Sequence, residues 1–297
     1  VKAKVKILDI GCNDGSFLNN FGDDKELWGV DPADITPGNK NIKKIKDYFN
    51  LALAEKLKER TGGFDLVVCT HTLACVENIK DFVAGMAEVL VDGGLCVVEV
   101  GSSERMVSQG SFDCIYHEHY SYFDEENLCR LFGAVGLRVA KIEQNEFHGG
   151  STRVFLKKTK KETIGIASHR EVNELEIFTK KVLLFRKKFK KIIKNIKGQR
   201  LVIVSVPAKG VTLLNYCGVG KDRIRLAVDS TVQKQGRFIP GINTVVQSIG
   251  ELMGQEGDVF LILAWNYREV ILERIKSIAM PGSFVLVPFP EMEVIKI

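Results

Sequence analysis

Short apolar runs alternate with amphipathic stretches from the start of this 297-residue chain. Residues 5–10, 27–30, 66–69 and 95–100 are largely apolar and too short for helices, and they predict buried strands. Residues 17–21, 52–60 and 81–90 carry apolar positions at helical spacing and predict helices between those strands. A strand followed by a helix rejoins its sheet as a crossover, so the alternation predicts a parallel sheet covered on both faces. Gly93-Gly94, Gly133 and Gly136 punctuate helix ends, and residues 137–141 and 153–157 are expected to close the same sheet.

From residue 169 to 197 the pattern becomes one long basic amphipathic stretch, with Leu175, Phe178, Val182, Phe185 and Phe189 at helical spacing. A second strand and helix series follows, with strands at 201–206, 226–228, 259–263 and 284–287 and a helix at 267–278. The predicted fold class is α/β. A Rossmann-like domain over 1–160 is followed by a connecting helical segment over 161–199 and a second, smaller Rossmann-like α/β domain over 200–297. The length agrees with two domains of about 100–200 residues each.

Charge and cysteine content narrow the function classes. The formal net charge is +5, but Lys and Arg concentrate between Lys157 and Arg200, as in Lys187-Lys188-Phe189-Lys190-Lys191. That concentration reads as a solvated helix face, so no nucleic-acid partner is expected. The seven cysteines are scattered, without a Cys-x-x-Cys pair to hold zinc, and several lie in apolar runs, as in a reducing compartment. No run of about 18 apolar residues and no basic-then-apolar leader is present, so a cytoplasmic protein without a membrane partner is expected.

The segment Leu8-Asp9-Ile10-Gly11-Cys12-Asn13-Asp14-Gly15 closes the first strand, and Gly29-Val30-Asp31-Pro32 closes the second. Glycines let a backbone approach a ligand closely, and a carboxylate at the second strand end can accept both hydroxyls of an adenosine ribose. A nicotinamide dinucleotide prefers Gly-x-Gly-x-x-Gly around its pyrophosphate. Here the spacing differs, and Asp9 would repel a pyrophosphate while favouring a cationic sulfonium. Motif and context resemble class I methyltransferases, which use S-adenosylmethionine. The resemblance implies that Asp9, Gly11, Asn13 and Gly15 line the methionine part, that Asp31 binds the ribose, that Asp47 and Tyr48 lie near the adenine, and that Thr70 belongs to the same cofactor site.

Three of the five histidines fall in two short polar segments, Tyr116-His117-Glu118-His119-Tyr120 and His148-Gly149-Gly150-Ser151-Thr152-Arg153. Titratable and aromatic groups at this density suit a pocket where protons move. His119 can serve as a general base, with Glu118 or Tyr116 orienting it or donating to a substrate oxygen. A metal site and a purely structural hydrogen-bonded cluster are the alternatives, although no third metal ligand with supporting spacing is evident, and no metal is expected.

These segments, together with Pro207-Ala208-Lys209-Gly210-x-Thr212-Leu213-Leu214-Asn215-Tyr216, Asp229-x-x-x-x-Lys234-Gln235-Gly236-Arg237 and Ala264-Trp265-Asn266, resemble the nucleotide-sugar C-methyltransferase family through nearly the whole chain. The resemblance implies methylation of a ring carbon of a nucleotide-linked, commonly dTDP-linked, keto-deoxysugar. His119 would be the base, Glu118 its orienter and Tyr116 a donor to the enolate oxygen, and His71 is the next candidate base. His148, Ser151, Arg153, Lys209, Thr212, Asn215, Gln235 and Arg237 are the expected substrate contacts, with Lys209 and Arg237 on the diphosphate near a helix start.

The sequence departs from the family pattern in two respects. The usual cysteine-rich zinc-binding domain ahead of the cofactor domain is absent from these residues, and a loop that usually reads Asn-Val-Leu-Ala-His is here His71-Thr72-Leu73-Ala74-Cys75. Methylation of oxygen or nitrogen on another metabolite, and a catalytically silent protein that binds cofactor and sugar nucleotide, therefore stand as alternatives. An RNA methyltransferase is the least favoured, because the basic stretch lacks interleaved base-stacking aromatics or a recognisable RNA module.

Overall fold

The computed structural model describes residues 4–158, 172–196 and 198–297. The expected boundary near residue 160 and the first part of the connecting segment, 161–171, lie outside these residues. The chain forms two compact units, one of Val1–Glu104 with Glu118–His169, the other of Arg105–His117 with Arg170–Ile297.

The first unit is built on β1 (Lys6–Ile10), β2 (Glu26–Val30), β3 (Ile42–Ile45), α1 (Leu51–Thr61), β4 (Phe64–Thr70), α2 (Ile79–Val89) and β5 (Leu90–Gly101). The chain passes into the second unit within α3 (Ser103–Gln109) and returns for α4 (Glu125–Gly133), β6 (Leu137–Asn145) and β7 (Ser151–Lys158). The sheet order is β3-β2-β1-β4-β5-β7-β6. The first five strands are parallel, whereas β7 runs antiparallel to both β5 and β6. The sheet is therefore mixed, for a local reason: only a short turn separates β6 from β7, and a parallel partner would need a crossover of a dozen residues or more.

Polar caps fix the helix starts. Asn50, Asn78 and Asp124 accept hydrogen bonds from the backbone amides of Leu53, Asp81 and Asn127. Apolar faces of α2 and α4, including Phe82, Met86, Leu128 and Phe132, then close over Leu8, Ile10, Val67, Cys69 and Val98 of the sheet. The helix expected over 17–21 shrinks to a single 3-10 turn at Leu18–Asn20. Asn19, Asn20 and Gly22 are poor helix formers, and the span is too short to propagate.

The second unit contains α5 (Val172–Asn195), β8 (Leu201–Val204), α6 (Ala208–Cys217), β9 (Ile224–Asp229), β10 (Val246–Ser248), β11 (Val259–Ile262), α7 (Arg268–Lys276), β12 (Phe284–Val287) and β13 (Glu293–Lys296). Its sheet order is β10-β9-β8-β11-β12-β13, parallel except for β13. The described part of the basic helix α5 is more than a connector, since Val182, Phe189 and Ile193 are buried in this unit's core with Phe112 and the β8 and β11 strands. No described helix is long and apolar enough to cross a membrane.

Candidate functional site

Parallel strands end on one edge of a sheet, and open α/β sheets bind ligands there, where strand order reverses. In the first unit that reversal lies between β1 and β4. Asp9 of β1, Asp31 after β2, Asp47 and Tyr48 after β3, and Thr70 at the end of β4 all belong to this edge.

The loop after β1 is shaped by left-handed residues at Gly11 (φ 84°), Asn13 (φ 47°) and Gly15 (φ 80°). A Cβ on Gly11 would overlap the Thr72 hydroxyl, so that position requires glycine. Asp31 grips the loop, its Oδ2 accepting from the Asn13 amide at 3.0 Å while Oδ1 accepts from the Ala33 amide at 2.8 Å. Each carboxylate oxygen retains acceptor capacity for a ribose hydroxyl. Lys44 of β3 ties the loops together by donating to the carbonyls of Asn13, Ala33 and Ile35. Asp47 receives the Tyr48 amide, and both residues are exposed.

Asp9 is the outlier. It is 2% exposed, and its Oδ1 has no hydrogen-bond partner. Burial first and the neighbouring Asp31 second push its carboxyl up to about 7. An orphaned acid beside glycine turns and a second carboxylate fits a cationic ligand such as the methionine end of S-adenosylmethionine. When bound, that cofactor supplies a methyl group on a positively charged sulfur.

A second cluster sits at the ends of β4 and β5. His71 donates from Nε2 to Glu99 Oε1 at 3.1 Å, while Glu99 Oε2 accepts from Arg153 Nε at 2.7 Å and from Asn145 Nδ2 at 3.2 Å. The hydrogen bond from His71, together with Arg153, outweighs burial and holds the Glu99 carboxyl down to about 2. The His148 ring stands edge-on to His71 with centroids 4.4 Å apart. Both histidines adopt left-handed backbone, at φ 54° and 53°. Such strain in non-glycine residues tends to collect at functional sites. Ser151 is buried and its hydroxyl is given to the Phe147 carbonyl.

The segment bearing His119 is held against the loop that follows His71. Ala74 O accepts from the Tyr120 amide at 2.8 Å and from the Ser121 amide at 3.3 Å. His119 is half-buried beside the Tyr122 ring, Glu118 is exposed, and the negative charge of Glu118 adds to burial in raising the Cys75 thiol. Tyr116 is half-buried and His117 exposed in the segment belonging to the second unit.

The second unit repeats the first unit's loop device with a different outcome. Asp229 at the end of β9 accepts from the Val206 and Thr231 amides, both at 2.8 Å, as Asp31 does from Asn13 and Ala33. Here Lys234 Nζ fills the position beside the carboxylate at 3.1 Å. Gln235 donates to the Asp229 carbonyl, and Asn215 to the carbonyls of Val211 and Pro240.

Lys209, expected on the diphosphate, is half-buried. It hydrogen-bonds Asn266, lies 3.9 Å from the Trp265 ring centre and is lowered in pKa mainly by desolvation. Trp265 Nε1 in turn donates to the buried Asp113 at 2.7 Å. Arg237 is exposed, and Thr212 borders an apolar cavity of about 300 Å³ with Phe112, Phe178 and Tyr216. No group of three or more metal-ligating side chains occurs among the described residues.

Glu99, Asn145 and Lys44 join these sites from outside the sequence motifs. Only Glu99 left a sequence signal, as a charge inside the buried run Cys96-Val97-Val98-Glu99-Val100.

Residues 2–142 match a family described as "Methyltransferase domain", and residues 146–290 match one described as "C-methyltransferase C-terminal domain". The chain is 31% identical to C-methyltransferase NovU of Streptomyces niveus over 310 aligned positions, covering 97% of this chain and 73% of that protein. It is 30% identical over 113 positions to a carboxy-S-adenosyl-L-methionine synthase of Campylobacter hominis, covering 33% of this chain and 45% of the synthase. Among solved structures, the 1,6-didemethyltoxoflavin-N1-methyltransferase of Burkholderia thailandensis is 15% identical, covering 53% of this chain and 72% of that chain at a TM-score of 0.41.

Proposed function

The chain belongs to the C-methyltransferase family and is an S-adenosylmethionine-dependent methyltransferase, and from that premise we propose that it methylates a ring carbon of a nucleotide-linked keto-deoxysugar. The observation that carries this reading is the pair of backbone hydrogen bonds from Tyr120 and Ser121 to Ala74. They hold the His119 segment to the loop that leaves β4, on the sheet edge that carries Asp9 and Asp31. Carbon methylation needs a base near the methyl donor, because a carbon adjacent to a ketone becomes a nucleophile only after losing a proton. Oxygen or nitrogen methylation has no such requirement for an enolate.

In this reading Asp31 holds the ribose of the cofactor, Asp9 faces its methionine end and His119 takes the proton from the reacting carbon. Arg237 is exposed on the second unit and offers a charge to a phosphate. Lys209, committed to Asn266 and the Trp265 ring, supports the loop beside it.

The test is incubation of the protein with methyl-labelled S-adenosylmethionine and a panel of dTDP-linked keto-deoxysugars. Label in a sugar supports the proposal. Transfer only to non-sugar metabolites, or cofactor binding with no transfer to any sugar of the panel, contradicts it.

A further inference from the structure

We propose that His71, pinned by Glu99, is a second proton-handling residue, which lends a proton to the ketone oxygen while His119 removes the proton from the adjacent carbon. The inference rests on the reaction proposed above and deepens it.

The geometry is that of a ring fixed from behind and open in front. The Glu99 side chain is 6% exposed and the His71 side chain 30% exposed, so the carboxylate is sealed beneath an imidazole that substrate can reach. Glu99 has a second and a third donor in Arg153 and Asn145, and these hold it ionised and fixed in place. A carboxylate accepting from Nε2–H leaves Nδ1 as the ring atom that gains or releases a proton. His148 stands against the ring edge-on and limits its rotation. The charged groups facing the ring's partner are Arg153 and, 3.6 Å beyond it, Glu143.

Nothing in an ordinary core asks for this arrangement. Two histidines in left-handed backbone and a buried carboxylate with three donors are costly to assemble, and the first unit gathers them at the ligand-binding edge of its sheet. The His119 segment is hydrogen-bonded to Ala74, three residues beyond the start of the loop that His71 opens. Enolisation requires both partners. As the carbon–hydrogen bond breaks, its proton passes to His119 and its electrons form the carbon–carbon double bond, and the ketone oxygen takes a proton from His71 Nδ1. The double bond then attacks the methyl carbon, the sulfur–methyl bond breaks with its electrons returning to sulfur, and the oxygen gives its proton back to His71. One proton, held on His119, is released to solvent. The family resemblance implies a donor role for Tyr116 at this oxygen, and His71 adds the proton transfer.

The test uses the whole chain, S-adenosylmethionine and a dTDP-linked 4-keto-6-deoxyhexose, with His71→Gly and Glu99→Gln. Glycine tolerates the left-handed backbone at position 71 and carries no side-chain donor. Loss of a donor to a developing oxyanion typically costs about 10²–10³-fold in kcat, and that loss is expected in His71→Gly with both KM values little changed. Exchange of the substrate's alpha hydrogen with deuterated solvent, with S-adenosylhomocysteine bound, should slow in parallel. Glu99 is a positioning residue that acts through the ring, so the double variant should be no slower than His71→Gly alone.

A folded His71→Gly protein with the wild-type rate and exchange overturns the role of His71. If His71→Gly does not fold, Glu99→Gln decides, and an unchanged kcat there overturns it equally. Wild-type protein that methylates no keto-sugar overturns the proposed reaction itself, and the role of His71 falls with it. Methylation by the wild type that His71→Gly reproduces in full overturns only the role of His71.

Discussion

Replacing Asp9 by asparagine should stabilise the ligand-free protein at pH 8 while weakening its hold on the cofactor. The side chain is 2% exposed with one oxygen unpartnered, and burial and Asp31 together move its carboxyl from an ordinary 3.8 to about 7. Ionisation is thus easier in the unfolded chain than in the fold. The favourable contribution of the protonated acid is complete below about pH 3.8 and is lost as pH rises to about 7. At 1.36 kcal/mol per pH unit, the displacement is worth about 4 kcal/mol.

Asparagine keeps the shape and removes the charge, so the gain should approach that figure at pH 8 and vanish near pH 4. The assay is urea unfolding followed by Trp28 fluorescence in a Trp265→Phe background, which confines the signal to the first unit because the chain has only these two tryptophans. Equal stability of the two proteins at pH 8, or a difference between them that stays constant from pH 4 to pH 8, would refute the reasoning.

Three other outcomes follow from named contacts. Arg200→Ala removes a two-point ion pair, at 2.9 and 2.6 Å, from the fully buried Asp258, and should cost about 3–5 kcal/mol when unfolding is read from Trp265. Glu99 lies near 2 rather than 4.5, so wild-type stability should fall by about 3 kcal/mol as pH drops from about 4.5 to 2, and acid titration of Glu99→Gln should show that slope missing. Asp31→Ala should weaken S-adenosylmethionine binding in calorimetry by two charge-assisted hydrogen bonds of about 1.5–3 kcal/mol each, and unchanged affinity in a folded variant would remove Asp31 from the cofactor site.

The fold is legible in the sequence wherever burial imposes a pattern. Residues 5–10, 27–30, 66–69 and 95–100 are apolar because a parallel sheet covered on both faces buries both sides of each strand, and β1, β2, β4 and β5 form there. The edge strands are a different matter. Ile42–Ile45, Val246–Ser248 and Glu293–Lys296 are short and partly polar, each has a partner on one side only, and nothing in such a sequence separates it from a loop.

At the site, the glycine turn and the acid at the second strand end could be read because their spacing is local. Lys44 could not, since it is defined by three carbonyls that only the folded loops assemble. Lys209 was expected on a diphosphate because a sequence does not display Trp265, Asn266 and Asp113 around it. Glu99 was the recoverable omission. A carboxylate in a buried strand has to be paired, and the fold supplies His71, Asn145 and Arg153 as its partners.

Transfer from S-adenosylmethionine carrying a ¹³C methyl group to a ¹³C-labelled dTDP-linked keto-deoxysugar, read by NMR of the product, tests the central proposal most directly. A carbon–carbon coupling between the new methyl group and a ring carbon adjacent to the ketone is expected. Loss of that product is also expected in His119→Asn, by about 10²–10⁴-fold in turnover, with both ligands still bound. A methyl group attached through oxygen or nitrogen, or a carbon-methylated product formed at the wild-type rate without His119, would contradict it.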